Sequence, residues 1–117
     1  MARARTPTRP PETGHEPKLC ARYHHAVELI GRRWSGAIIS VMLTGAQGFN
    51  ELLAAVPGLS DRLLTERLRE LESEGLVRRM VRPGPPVRVT YSLTPAGESL
   101  KPVVEALGKW AERWIKA

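Results

Sequence analysis

The clearest pattern of apolar and polar positions lies in the middle of the chain. Leu64, Leu68 and Leu71 follow the spacing of four and three that places side chains on one side of an α-helix. Ser60 is a residue type that caps helix N-termini, and Gly75 is one that ends helices because it tolerates a left-handed backbone. The pattern therefore predicts a helix between these two residues with one buried face.

The opposite side of this helix is polar and carries Arg62, Thr65, Glu66 and Arg69. In the major groove of DNA, Arg can bridge O6 and N7 of guanine, Thr can meet the thymine methyl, and Glu can accept from N4 of cytosine. The same residues also fit a solvated helix face held by ion pairs four positions apart, such as Arg62 with Glu66. Taken alone, the helix leaves both interpretations open.

Helical periodicity also predicts several neighbouring elements. The predicted helices run from Cys20 to about Gly31, from about Trp34 to Leu43, and from about Phe49 to Val56, with Asn50 as one candidate cap. Residues 44–48 are expected to form a loop, and Pro57-Gly58 a tight turn. Two short helices joined by such a turn, the second with an exposed Arg face, are typical of a helix-turn-helix.

The period changes after Gly75 from helical to alternating. Val87, Val89, Tyr91 and Leu93 alternate with polar residues, which predicts a strand with one buried face. Residues 76–82 are compatible with a second strand, and the segment 83–86, Pro-Gly-Pro-Pro, predicts a turn between the two. The fold class is therefore mainly α with a small β-hairpin directly after the polar-faced helix.

This hairpin concentrates the positive charge of the chain. The protein carries 18 Lys and Arg against 12 Asp and Glu, a net charge of +6, which favours an anionic partner such as nucleic acid. The hairpin contributes Arg78, Arg79, Arg82 and Arg88, and the sequence holds no acidic residue from 75 to 94. We expect these side chains to lie along a phosphate backbone or to enter a minor groove.

A last helix is predicted from Thr94-Pro95, with a kink or break at Pro102. Its apolar stripe is wider than one small domain needs to bury, which is typical of a helix that packs against a partner. The stripe comprises Leu100, Val103, Val104, Leu107, Trp110, Ala111, Trp114 and Ile115. A pocket near Trp34, Trp110 and Trp114 is a candidate effector site, although core and interface aromatics are the commoner case.

The N-terminal segment differs in composition from the rest. Residues 1–18 are rich in Pro, Thr, Arg and Glu and predict a flexible tail, whose Arg3, Arg5 and Arg9 could alternatively enter a minor groove. Residues 19–117 form the predicted domain. The segment lacks the apolar core of a signal peptide, and the longest apolar run is too short to span a bilayer, so a cytoplasmic protein without membrane contact is expected.

Other chemistry has little support in the sequence. It shows no nucleophile–base pair, phosphate-cradling Gly loop or paired carboxylates, so no enzyme and no cofactor are predicted. His24 and His25 would point to different helix faces, and no ligand set completes a metal site. The single cysteine, Cys20, excludes a disulfide within the chain.

Several motifs in order resemble the HxlR-type winged-helix transcription regulators. These are Cys20; Ala-Val-Glu-Leu-Ile-Gly-Arg-Arg-Trp at 26–34; Gly-Phe-Asn-Glu-Leu at 48–52; Leu-Thr-Glu-Arg-Leu-Arg-Glu-Leu-Glu-Ser-Glu-Gly-Leu-Val at 64–77; and Tyr-Ser-Leu-Thr-Pro-Ala-Gly at 91–97. The resemblance covers residues 20 to about 114.

The resemblance implies a homodimer built by the first and last helices, which binds double-stranded DNA at a pseudo-palindromic operator. The helix at 60–74 would be the recognition helix, and the hairpin would be the wing. The DNA-binding candidates are Ser60, Arg62, Leu63, Thr65, Glu66, Arg69, Arg78, Arg82 and Arg88. The expected function is that of a transcription regulator acting as a repressor. The alternative is a winged helix that binds a protein partner. Glu66 favours this alternative, because its carboxylate would be repelled by DNA phosphates.

The resemblance also implies a redox or electrophile signal at Cys20, or a small-molecule effector. Lys18, Arg22, His24 and His25 surround Cys20, and nearby positive charge favours the reactive thiolate. The alternative interpretation of Cys20 is a small apolar side chain packed at the start of a helix.

Overall fold

The computed structural model describes residues 20–116, so the predicted tail with Arg3, Arg5 and Arg9 lies outside the described residues. Six helices and three strands occur in this part of the chain. In order they are α1 Ala21–Gly31, α2 Ser35–Met42, β1 Gln47–Gly48, α3 Phe49–Ala55, α4 Asp61–Ser73, β2 Val77–Arg82, β3 Arg88–Leu93, α5 Pro95–Glu98 and α6 Lys101–Trp114.

Helix α1 belongs to a separate compact unit that ends at Arg32. Cys20 is its N-cap, and the thiol sulfur accepts a hydrogen bond from the Tyr23 amide at 3.3 Å. The helix ends after Gly31, where Arg32 adopts an extended backbone. The bounds predicted from periodicity are confirmed to within one residue.

The second unit begins at Arg33 and has an apolar core built by three helices. Helix α2, predicted to be buried because it is nearly all apolar, contributes Ile38, Ile39 and Met42. Helix α3 contributes Leu52, and α4 contributes Leu64, Leu68 and Leu71, none more than 3% exposed. This core fixes α4 by its apolar stripe and leaves its polar face outside.

Local signals set both ends of α4 as predicted. The Ser60 hydroxyl accepts from the Leu63 amide at 3.1 Å, which satisfies one of the free N–H groups of the first turn. At the other end Gly75 has φ +78°, a left-handed conformation that L-residues with side chains rarely adopt. The Leu76 amide then donates to the Leu71 carbonyl and closes the helix.

The prediction of a plain loop over 44–48 was wrong at its end. Gln47 and Gly48 form β1, which pairs antiparallel with β3 opposite Tyr91 and Thr90. The proposed Asn50 cap was also wrong, since α3 starts after Gly48 and the Glu51 carboxylate accepts from the Gly48 amide. The added strand depends on residues more than forty positions away, so the local sequence could not show it.

The predicted hairpin is confirmed and forms a three-stranded antiparallel sheet in the order β1-β3-β2. Its register pairs Val77 with Leu93 at the base and Arg82 with Arg88 near the tip. The expected buried face holds only at the base, where Leu93 is 5% exposed. Val87 precedes β3 and is 64% exposed, because no element of the described chain covers that end of the hairpin.

The last helix divides into two, as the proline suggested, but earlier than predicted. Thr94 caps α5 and Pro95 follows at its first position, as expected. The chain breaks at Ser99–Leu100, and Pro102 lies in the first turn of α6, where its missing N–H costs no hydrogen bond. None of the residues of α6 is buried.

Candidate nucleic-acid interface

The polar face of α4 is open to solvent in the described chain. Arg62 and Arg69 are exposed, with the Arg62 side chain 83% accessible, and Glu66 is also exposed. Thr65 is half-buried, and its hydroxyl donates to the Asp61 carbonyl at 2.9 Å, so that proton is not available to a base. The structure therefore brings these four candidates together on one accessible helix face.

The ion pair expected of a solvated helix face is also present. Nη1 of Arg62 lies 3.7 Å from Oε2 of Glu66, one helical turn away. An exposed pair of this kind contributes about 0.3–0.5 kcal/mol at most, so it does not hold Arg62 away from a ligand. The geometry of this face is therefore compatible both with a solvated helix surface and with a DNA-binding surface, since a weak ion pair can be replaced by a contact to a phosphate or a base.

The two remaining DNA-binding candidates on α4, Ser60 and Leu63, take part in the N-terminal cap of the helix. Ser60 is exposed, but its hydroxyl accepts the Leu63 amide and caps α4, and the Leu63 side chain is half-buried. Both residues lie at the N-terminal end of α4, where free N–H groups favour anions. In helix-turn-helix proteins in general, the N-terminal residues of the recognition helix contact base edges.

The hairpin presents its arginines on two different faces. In an antiparallel pair, opposed residues share a face and alternate positions along a strand return to it. The register therefore places Arg78, Arg82 and Arg88 on one face, and Arg79, opposite Tyr91, on the other. All four side chains are exposed. The three hairpin candidates thus form one basic face, which we call the wing face.

The tip of the wing face is electrostatically unusual. Arg82 and Arg88 lie directly opposite each other across the strands, and like charges in that position are destabilising unless an anion lies between them. They flank an open concavity of about 330 Å³, lined by Met80, Val81, Arg82, Pro83, Arg88 and Thr90. Its lining combines two arginines with mainly apolar side chains, a composition that a sugar–phosphate backbone could contact.

One residue of the site was missed by sequence reasoning. Arg67 is only 9% exposed, although arginines are almost never buried without partners. Its Nε donates to the Arg33 carbonyl at 2.9 Å, and its Nη1 lies 3.3 Å from a Glu70 oxygen and 3.5 Å from one of Glu66. The signal available was its spacing, since position 67 lies three residues after Leu64 within the apolar stripe.

Cys20 is exposed, which contradicts the interpretation of a packed small apolar side chain. In the same helix, His24 pairs with Glu28 at 3.5 Å. Among residues 20–116 no group of three His, Cys, Asp or Glu is arranged to hold a metal ion.

The three tryptophans of the candidate effector site occupy different surroundings. Trp34 is half-buried with φ +78°, and the Arg33 guanidinium lies 4.9 Å from the centroid of its ring. A Cβ atom at Gly58 would lie 3.2 Å from the same ring. The Trp34 indole N–H is buried and has no hydrogen-bond partner within the described residues. Trp110 and Trp114 are more than half exposed on α6. An effector pocket at these residues stays a prediction.

In the part of the chain that the structure describes, no helix has the length and apolar character needed to cross a membrane.

The helix pair α3–α4 followed by a basic hairpin defines a winged helix-turn-helix, a class of DNA-binding fold. Comparison with known proteins agrees with the geometry. The model of the HxlR-like helix-turn-helix family matches residues 29–117. The chain belongs to this family of transcription regulators, as the sequence resemblance predicted.

Individual relatives support the assignment over nearly the whole chain. The uncharacterized HTH-type transcriptional regulator YvaP of Bacillus subtilis is 46% identical over 101 residues, which cover 86% of this chain and 94% of YvaP. The reduced form of the transcriptional regulator YodB from B. subtilis superposes with a TM-score of 0.77 at 37% identity, covering 85% of this chain and 97% of YodB. The redox regulator HypR in its reduced form gives a TM-score of 0.74 at 37% identity, covering 79% and 91%.

Proposed function

We propose that this regulator acts as a homodimer that binds a pseudo-palindromic operator in a sequence-specific manner and represses transcription. The observation that carries the proposal is the two-sided character of α4, whose leucines are buried while Arg62 and Arg69 are exposed. Two copies of α4 would enter successive major grooves about 34 Å apart. A dimer bound in this way covers the duplex and excludes other proteins from it, which is the basis for proposing repression.

The apolar face of α6 supports the dimer. Val103, Leu107, Trp110, Trp114 and Ile115 are each between 51% and 63% exposed. Contiguous apolar surfaces of this kind mark interaction sites, since monomeric proteins rarely leave them open to water. The spacing of four and three along the helix suits packing against a second helix.

The alternative hypothesis is a winged helix that binds a protein, and its support is the Glu66 carboxylate, which DNA phosphates would repel. That carboxylate lies 3.7 Å from Arg62 and 3.5 Å from Arg67, so it is flanked by positive charge on both sides. A carboxylate paired with two guanidinium groups opposes phosphate far less than a free one. The argument for a protein partner is weakened accordingly.

The proposal is tested by comparing helix and wing variants on a duplex enriched by the wild-type protein from a randomised pool. Arg69→Ala should lose about 1–3 kcal/mol of preference for this duplex over unrelated DNA. Arg82→Ala should weaken binding to both duplexes about equally and lower the slope of log affinity against log salt by about 1. Gel shifts over a series of salt concentrations measure both quantities.

Arg79→Ala is the matched control, because Arg79 lies on the hairpin face opposite Arg78, Arg82 and Arg88. It should change the salt slope less than Arg82→Ala does. Equal effects of Arg69→Ala and Arg82→Ala on sequence preference would contradict the assignment of helix and wing.

We also propose that Cys20 receives an oxidant or electrophile signal. The thiol is exposed and accepts only the Tyr23 amide among the contacts that the structure shows. YodB has been solved in reduced, diamide-treated and quinone-bound forms, and HypR in reduced and oxidised forms. A quinone would add to the sulfur, forming a C–S bond, while the thiol proton moves to the quinone oxygen.

Intact-mass measurement after quinone treatment tests this step. Because Cys20 is the single cysteine, a mass increase equal to one quinone per chain should appear in the wild type and disappear in Cys20→Ser. DNA affinity should change only in the protein that gains the mass. An adduct that leaves DNA binding unaltered would remove Cys20 as a sensor.

A further inference from the structure

We propose that Arg67 is a positioning residue that sets the base preference of α4 by holding the carboxylate of Glu66. The inference rests on the proposed function, in which the polar face of α4 contacts bases. Arg67 itself is not offered as a DNA contact, because its side chain is only 10% exposed. It acts through its neighbour on the exposed face.

The guanidinium of Arg67 is fixed at its inner end. Nε donates to the carbonyl of Arg33 at 2.9 Å, thirty-four residues away. That carbonyl precedes Trp34, the N-cap of α2, and the Trp34 carbonyl accepts the Ile38 amide at 3.0 Å in the first turn of this core helix. Arg67 therefore ties the middle of α4 to the start of α2.

The outer end of the same guanidinium faces two carboxylates. Nη1 lies 3.3 Å from Oε2 of Glu70 and 3.5 Å from Oε1 of Glu66. The other oxygen of Glu66, Oε2, lies 3.7 Å from Nη1 of Arg62. Glu66 thus lies between the buried guanidinium of Arg67, which a backbone carbonyl anchors, and the exposed guanidinium of Arg62.

The position of Glu66 beside the Arg67 guanidinium affects how its carboxylate can recognise a base. A carboxylate on a DNA-facing helix is repelled by phosphates, and a fixed guanidinium beside it lowers that repulsion while restricting where its oxygens point. A carboxylate so placed can accept a hydrogen bond from N4 of cytosine. Lys cannot replace Arg67 in this role, since a single nitrogen cannot bond the Arg33 carbonyl and also pair with Glu66 in the same geometry.

The test uses four forms of the full chain: wild type, Glu66→Gln, Arg67→Lys and the double variant. Each selects from a randomised 26-bp duplex pool, and the enriched sequences give the preference at every base pair. Arg67→Lys should lose preference at the same base pair that Glu66→Gln alters, by about five-fold or more. The double variant should discriminate no worse than Glu66→Gln alone, because residues that act through one contact are not additive.

Arg113→Lys is the matched control, an exposed Arg on α6 outside the helix and hairpin candidates, and should leave every base preference unchanged. If Arg67→Lys does not fold, as judged by thermal unfolding, Arg67→Met retains a long stem without charge and should show the same loss at the same base pair. Loss at a different base pair, or a double variant whose loss equals the two single losses multiplied, overturns the role of Arg67. If the wild type enriches no sequence, the proposed function fails, and this inference with it.

Discussion

Helices α4 and α6 carry the same kind of apolar stripe, but the stripe of α4 is buried and that of α6 is exposed. In α4, Leu64 and Leu71 are fully buried within the described chain. In α6, Leu107 is 60% and Trp110 54% exposed. Both stripes follow the spacing of four and three. The pattern shows which face of a helix needs cover, but only the fold shows whether the chain supplies that cover itself.

The two helices also begin differently. A side-chain cap at Ser60 starts α4, whereas α6 follows Leu100, which offers no capping side chain, and has Pro102 in its first turn. The helix that completes the core of the described chain is thus locally specified at its start. The helix with the open apolar face depends more on whatever covers that face, since tertiary packing supplies most of a helix's stability.

The largest expected effect is the difference in unfolding free energy between alanine substitutions in the α4 stripe and in the α6 stripe. Leu64→Ala should lower the free energy of unfolding by about 2–5 kcal/mol, because it leaves a cavity in a fully buried site. Urea unfolding followed by circular dichroism measures this change. The control is Leu107→Ala at a protein concentration where the wild type is monomeric, which should cost under about 1 kcal/mol. Similar losses at both positions would remove the distinction between the helices.

The next effect concerns association. Leu107→Glu places a charge in the middle of the α6 stripe and should weaken dimerisation by at least about ten-fold, since burying an unpaired carboxylate is strongly unfavourable. Sedimentation velocity over a range of concentrations measures the dimer constant. Lys109→Glu introduces the same side chain on the opposite side of α6 and should leave association nearly unchanged. A monomeric wild type, or equal dissociation by both variants, would contradict the proposed interface.

The smallest effect concerns the start of α4. Ser60→Ala removes the hydroxyl that accepts the Leu63 amide and should cost about 1 kcal/mol, whereas Ser60→Gly should cost only a few tenths. Thermal unfolding of the two variants side by side measures the difference. If Ala and Gly are equivalent at this position, the cap does not contribute to the stability of α4.

Those parts of the fold that depend on local chemistry could be predicted from the sequence. Ser60 and Gly75 gave the ends of α4, and the Pro-rich turn at 83–86 gave the hairpin, because each acts on the backbone next to it. Strand β1 could not be predicted in the same way, because two residues become a strand only by pairing with β3. Val87 followed the alternating pattern correctly but had no neighbouring element to cover it.

In the candidate site, too, the features set by local sequence could be predicted and those set by distant contacts could not. The spacing along α4 predicted that Arg62 and Arg69 would share an exposed face, which the structure confirms. The role of Arg67 could not be predicted, because its main partner is a backbone carbonyl brought close by the packing of α2 against the rest of the fold. Sequence patterns identify side chains by type and face, whereas backbone partners appear only in three dimensions.

The opposed pair of Arg82 and Arg88 gives the hairpin a dual response to ionic strength. In the free protein, added ions screen the repulsion across the strands, so the tip should become more rigid and the melting temperature should rise slightly. In the proposed complex with DNA, the same ions would compete with phosphate for both guanidinium groups and weaken binding. If both arginines contact DNA as proposed, ionic strength should change fold stability and duplex affinity in opposite directions through one pair of side chains.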